Sequence, residues 1–111
     1  KLPPLIIYLF FKKIILLFIS KYKVNTEFMR ECVSRFVTAY PAAEFLEGLN
    51  LVGRWHATGD GWAVIITETD NASLITEWAL KWSDLCEIST VPALDDEGMG
   101  PVAHAWVQTL T

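Results

Sequence analysis

Positive charge is in short supply in this 111-residue chain: 9 Lys and Arg stand against 13 Asp and Glu, for a formal charge of −4. Binding to a phosphate backbone draws on clustered cations that displace counterions, so the balance argues against nucleic acid as a partner. Cysteine is equally scarce. Cys32 and Cys86 cannot build the dense disulfide framework of a small secreted domain. Each falls in an apolar stretch with no base nearby in sequence, so both read as buried free thiols, and a cytoplasmic location is expected from them. Histidine is limited to His56 and His104, far apart and without Cys or carboxylate at zinc-like spacing, which argues against a metal. There is no glycine-rich phosphate loop, no Gly-x-Ser-x-Gly elbow and no Cys-x-x-Cys pair. No cofactor is called for; His104 in the sequence HAWV is a conceivable haem ligand, but a single histidine is weak ground for one.

An uninterrupted apolar run of membrane-spanning length is also missing. The stretch LPPLIIYLFFKKIILLFIS, Leu2 to Ser20, carries Lys12 and Lys13 near its centre, at a cost of about 2.5 to 3.5 kcal/mol each in a spanning helix. Neither apolar half reaches the roughly 20 residues that a span needs. A signal peptide fits poorly as well, since no small-residue cleavage site follows Ile14 to Ile19. Residues 1–13 therefore read as a leader or peripheral arm, and 14–111 as one domain.

What the chain does have is apolar and aromatic surface: 52% of residues are hydrophobic and five are Trp. A core, an oligomer interface or a ligand pocket has to absorb it. Ile14 to Val24 reads as a strand leaving a buried sheet. In NTEFMRECVSRFVTAYP, the residues Phe28, Met29, Cys32, Val33, Phe36, Val37 and Tyr40 form one helical face, with Asn25 or Thr26 as cap and Pro41 as stop. LNLVGRWHA and GWAVIITET form an antiparallel hairpin through Thr58-Gly59-Asp60-Gly61. Asp70 or Asn71 caps a second helix, whose Leu74, Ile75, Trp78, Trp82 and Leu85 share a face. Cys86 to Ala93 is a fourth strand. The acidic LDDEGMGP reads as a loop, with a short closing helix after Pro101.

Strand, helix, strand, strand, helix, strand is the ferredoxin-like βαββαβ arrangement, an α+β fold with two helices on one face of a four-stranded antiparallel sheet. The uncovered face is too apolar for a monomer to expose, so a homodimer is expected whose sheets enclose a barrel-like cavity.

The segments GRWHATGDGWAVIITETDNASL and WSDLCEISTVPALDDE resemble the family grouped as domain of unknown function 3303, within the dimeric α+β-barrel superfamily. The matching features are Val52-Gly53-Arg54, Gly61-Trp62-Ala63-Val64, Glu68-Thr69-Asp70-Asn71, Trp82-Ser83-Asp84-Leu85 and Val91-Pro92. The resemblance runs from about Ile14 to the tail. It implies the fold and the dimer but no activity, because the wider superfamily holds cofactor-free monooxygenases, haem-degrading and dye-decolourising enzymes, isomerases and plain ligand binders.

The candidate site centres on the hairpin. His56 titrates near neutral pH and is the best general base by type. Strand alternation groups Val52, Arg54 and His56 on one face and Leu51, Gly53 and Trp55 on the other, while Trp62, Val64, Ile66 and Glu68 share a face of the partner strand. The register decides which faces coincide. A two-residue loop pairs Thr58 with Gly61 and sets Trp55 beside the Trp62 to Glu68 face; a loop one residue longer brings Arg54, His56 and Glu68 together. The first expectation is a binder that holds a small apolar or aromatic ligand in the barrel cavity, contacted by Trp62, Trp78 and Tyr22. The alternatives are a cofactor-independent monooxygenase-like or isomerase-like enzyme using His56 or Glu68, and a structural dimer with no ligand site, in which Arg54 and Glu68 are an ion pair at the sheet rim.

Overall fold

The computed structural model describes residues 15–40 and 43–110. The leader, the expected strand start at Ile14 and the helix stop at Pro41 lie outside them. In chain order the elements are β1 (Leu16–Val24), a 3-10 turn (Thr26–Phe28), α1 (Met29–Ala39), β2 (Asn50–Ala57), β3 (Trp62–Thr69), α2 (Ala72–Trp82), β4 (Cys86–Ala93) and α3 (Asp96–Gln108). The strands form one four-stranded sheet in the order β2-β3-β1-β4, antiparallel throughout. This is the ferredoxin-like topology that the element order predicts.

The alternation along β3 sets the two faces. Ala63, Ile65, Thr67 and Thr69 are buried and the residues between them are not, so the first set faces the helices. Phe18 and Ser20 on β1 pair with Thr67 and Ile65 and are buried with them. Against this face α1 contributes Cys32, and α2 contributes Ile75, Trp78 and Trp82, to one apolar cluster with Ile65, Leu85 and Cys86. Ser20, with no exposure, keeps its hydroxyl satisfied 2.8 Å from that of Thr90 on β4. Arg35 on α1 grips Asp84 through both guanidinium nitrogens, at 2.8 and 2.7 Å, and also donates to the Lys81 carbonyl. This bidentate bridge clips α1 to the end of α2.

Local sequence explains the element ends. The Asn71 side chain accepts from the Ser73 amide at 3.1 Å and caps α2, as expected of one of the two candidates there. Asn25 makes no side-chain capping bond; the chain enters α1 through the 3-10 turn instead. At the hairpin, the amides of Asp60 and Gly61 both reach the Ala57 carbonyl at 3.0 Å. Gly61 takes φ of 72° there, which its missing Cβ permits.

Two expectations need correction. The tail helix begins at Asp96 and runs through Pro101 rather than starting after it. The Asp95 side chain accepts from the Gly98 amide at 2.8 Å, and Asp96 and Glu97 sit in the first turn, so the acidic stretch read as a loop is a cap and a first turn that suit the helix dipole. Strand β2 also departs from strict alternation. Leu51 pairs with Thr67 and Gly53 with Ile66, leaving Val52 as a β-bulge. Leu51 thereby joins Arg54 and His56 on the helix side.

No described helix covers the opposite sheet face. Ile19, Trp55 and Val91 are 36%, 60% and 52% exposed. No residue of α3 is buried, and its Val102, Trp106 and Val107 stand in solvent. No described helix is long and apolar enough to cross a membrane.

Candidate functional site: a cavity between the sheet and the helices

Between the helix-facing side of the sheet and α1 and α2 lies a cavity of about 370 Å³, within the range of small-molecule sites. Its sheet wall includes Tyr22, Val24, Arg54 and His56; its helical wall includes Met29, Cys32, Phe36, Trp78 and Trp82. The geometry follows from the sequence. Small Ala63 on β3 and the thiols of Cys32 and Cys86, also in the wall, leave room that larger side chains would fill, while aromatic rings close the sides.

One end is polar. Arg54 projects from β2 just past the bulge and meets Glu44, from the loop between α1 and β2. Their side chains are 6% and 0% exposed. Arg54 Nη1 donates to Glu44 Oε1 at 3.0 Å, and Oε2 lies 2.9 Å from the same nitrogen. Aromatic rings surround the cation: the guanidinium carbon is 5.0 Å from the Phe36 centroid and 5.5 Å from those of Tyr40 and Phe45, within cation–π range. Burial works against the charge on Arg54, but its hydrogen bond to Glu44 and the attraction of Glu44 and Tyr22 outweigh it and raise its pKa. Burial also pushes the Tyr22 phenol up, and the neighbouring Arg54 partly offsets that rise.

Two buried donors on cavity-lining residues make no hydrogen bond to the described residues. Arg54 Nη2 and Trp78 Nε1 are both buried without a hydrogen bond. The Tyr22 phenol is close enough for Arg54 to act on its ionisation, and its ring meets Trp78 edge-on at 6.2 Å. The other side of the Trp78 environment is Phe45, stacked at 6.3 Å.

The hairpin takes the register that sets Trp55 opposite Val64, His56 opposite Ala63 and Arg54 opposite Ile65. Arg54 and His56 therefore face the helices, and Glu68 faces the other way. The structure does not bring these three together, and the ion pair of Arg54 is with Glu44 rather than Glu68. Glu68 borders a separate recess of about 170 Å³ with Gly48, Asn50 and Asp70. His56 is exposed on edge strand β2, with its ring edge-on to Phe36 at 5.5 Å. Of the three aromatics singled out, Tyr22 and Trp78 line the cavity from within. Trp62 borders it but has its ring under the Lys21 ammonium at 4.6 Å, on the open face of the sheet. Its indole donates to Asp60 at 2.8 Å. His104 lies on exposed α3. Among the described residues no group of three or more His, Cys, Asp or Glu is placed to hold a metal ion.

Glu44, in the connection between α1 and β2, is not marked by any motif in the sequence. The signal was one carboxylate between Ala43 and Phe45, an apolar setting in which an acid needs a cation. The approach of Cys32 to Cys86, 3.6 Å between sulfurs across 54 positions of sequence, carried no sequence signal.

Fold and site define an α+β protein of ferredoxin-like topology with a cavity under its helices. The chain belongs to the family described as domain of unknown function (DUF3303), which matches it over residues 16–107. No curated protein matches it. Among solved structures it is similar to the de novo designed protein Foldit4, at 12% identity and a TM-score of 0.39 over 73% of this chain and 97% of that one. It is also similar to Rv0793 from Mycobacterium tuberculosis, at 10% identity and a TM-score of 0.39 over 75% and 98%.

Proposed function

We propose that the protein is a binding module that takes a small apolar or aromatic molecule carrying an acceptor oxygen into the cavity between its sheet and helices. The observation that carries this reading is the pair of unpartnered donors, Arg54 Nη2 and Trp78 Nε1, on two residues that line one apolar cavity. An unpaired buried donor costs about 1 to 3 kcal/mol. A carbonyl, ether or carboxylate oxygen of a ligand repays that cost, while its carbon skeleton packs on Phe36, Trp78 and Trp82. Glu44 neutralises Arg54, so the site favours a dipole or a shared charge over a strong anion.

A second copy of the chain belongs to the same reading as the cover of the open sheet face. That face mixes exposed Ile19, Trp55 and Val91 with Lys21, Lys23, Glu68 and Glu87, so a two-fold related copy can lay carboxylates over lysines. A cytoplasmic location accords with free thiols at Cys32 and Cys86. An acid–base reaction shared by His56 and Glu68 is not part of the proposal, since the sheet stands between them.

Tryptophan fluorescence tests the ligand site. Titration with 2-naphthol or 2-naphthaldehyde should quench it saturably, and naphthalene should bind more weakly. Absence of a saturable change with any of the three overturns the reading. Equal affinity for naphthalene removes the oxygen from it. Sedimentation of the unliganded protein tests the second copy, and a monomer at tens of micromolar would remove it.

A further inference from the structure

Cys32 lies on α1 and Cys86 opens β4; both are buried, at 7% and 4% exposure, and both are free. Their sulfurs stand 3.6 Å apart, against about 2.05 Å in a disulfide. Two further observations separate this pair from ordinary core packing. Both residues line the cavity, which gives a small oxidant a route toward them that does not run through the packed core. The two elements that carry them are also held in place independently, because Arg35, one turn along α1 from Cys32, grips Asp84, two residues before Cys86. Closing the last gap therefore asks for side-chain rotation and a small adjustment, with the backbones already clipped together.

We infer that Cys32 and Cys86 form a reversible dithiol–disulfide pair, oxidised by a small peroxide and reopened by a dithiol reductant. The inference does not rest on the ligand reading. In the first step one sulfur attacks a peroxide oxygen: an S–O bond forms, the O–O bond breaks, and water leaves carrying the thiol proton. The second sulfur then attacks the first. The S–S bond forms, the S–O bond breaks, and the hydroxyl departs as a second water with the remaining thiol proton. Two electrons pass from the thiols to one hydrogen peroxide. Burial and the neighbouring Cys32 push the Cys86 thiol up to about 12. Since thiolate is the nucleophile, closure is slow, and the pair answers sustained rather than brief oxidant. The bridge ties α1 to the start of β4 and fixes one side of the cavity wall.

The test uses the full chain, reduced and then exposed to hydrogen peroxide, with an alkylating agent added under denaturing conditions and intact mass and peptides measured. Before oxidation both cysteines should be alkylated. Afterwards the chain should take no alkyl group, weigh two hydrogens less, yield a Cys32–Cys86 crosslinked peptide, and recover both alkylatable thiols with dithiothreitol. Retention of both free thiols overturns the inference, as do sulfinic acid on one cysteine or a disulfide between chains. Circular dichroism runs in parallel, and a bridge that appears only with loss of the native spectrum overturns it too. Under the same treatment C32S should show no loss of two hydrogens, and loss of them there would equally refute the pairing.

Discussion

Arg54 and Glu44 hold each other at 2.9 Å in a place where the Glu44 side chain is fully buried and that of Arg54 nearly so. A buried charge is tolerated when a partner and further favourable contacts repay its desolvation, and here three aromatic rings supply the further contacts. The pair thus stands between two roles. It anchors the loop between α1 and β2 to the edge of the sheet, and it leaves one nitrogen of a cavity-lining guanidinium without a hydrogen bond.

Replacing Glu44 by Gln should cost about 3 to 5 kcal/mol, because it leaves the guanidinium buried without its counter-charge. The double change Glu44→Leu with Arg54→Met should recover most of that loss. Urea unfolding of these proteins checks both statements; with the single changes Glu44→Leu and Arg54→Met added to complete the cycle, additivity of the two would show that the charges do not depend on each other.

Trp78 is 2% exposed and packs against both Tyr22 and Phe45. Trp78→Ala should cost about 3 to 5 kcal/mol in a chemical melt. Trp78→Phe keeps most of the packing and removes the indole donor. It should cost less, and it should narrow the affinity difference between 2-naphthol and naphthalene.

Asp84 is held below the usual aspartate value of 3.8, first by its hydrogen bond to Arg35 and then by the charge of that guanidinium. A depressed folded pKa gives stability that is fully present above the ordinary aspartate value and is lost as pH falls through the lower native one. The midpoint of urea unfolding should therefore drop across that acid window. Asp84→Asn should flatten this part of the profile; an unchanged slope would mean that other carboxylates set it.

Gly48 takes φ of 92°, and a Cβ placed there would stand 3.1 Å from Leu74 Cδ1. Gly48→Ala should cost about 1 to 2 kcal/mol for the left-handed backbone, plus whatever Leu74 must yield. Gly59 has nothing within 4 Å of a Cβ and no positive φ. Gly59→Ala is the matched control and should be near neutral by thermal melt.

Much of the fold was legible in the sequence because its periodicities were clean. Cys86 to Ala93 was delimited to the residue, and the face of α2 was legible from Ile75, Trp78 and Trp82. The tail helix was misjudged because Pro101 was read as a start, whereas Asp95 had already capped the helix a turn and a half earlier. The site was less legible than the fold. The hairpin offered two registers that differ by one residue, and turn hydrogen bonds to Ala57 chose between them. Local pattern carries no record of an ion pair between a loop and an edge strand, nor of two thiols that meet across 54 positions of sequence.

The bulge at Val52 gives β2 one residue more than its ladder uses, and so divides the strand into two reading frames. Before it the odd-numbered Leu49 and Leu51 pack on the core; after it the even-numbered Arg54 and His56 take the helix side of the sheet. A single strand can thus serve the apolar centre with one half and the cavity with the other. Val52 is accordingly the place where a residue can be lost while both halves keep their facing. Loss of a residue between Arg54 and the turn has the opposite result, for with the turn fixed it would carry Arg54 to the open face and set Gly53 where the guanidinium was.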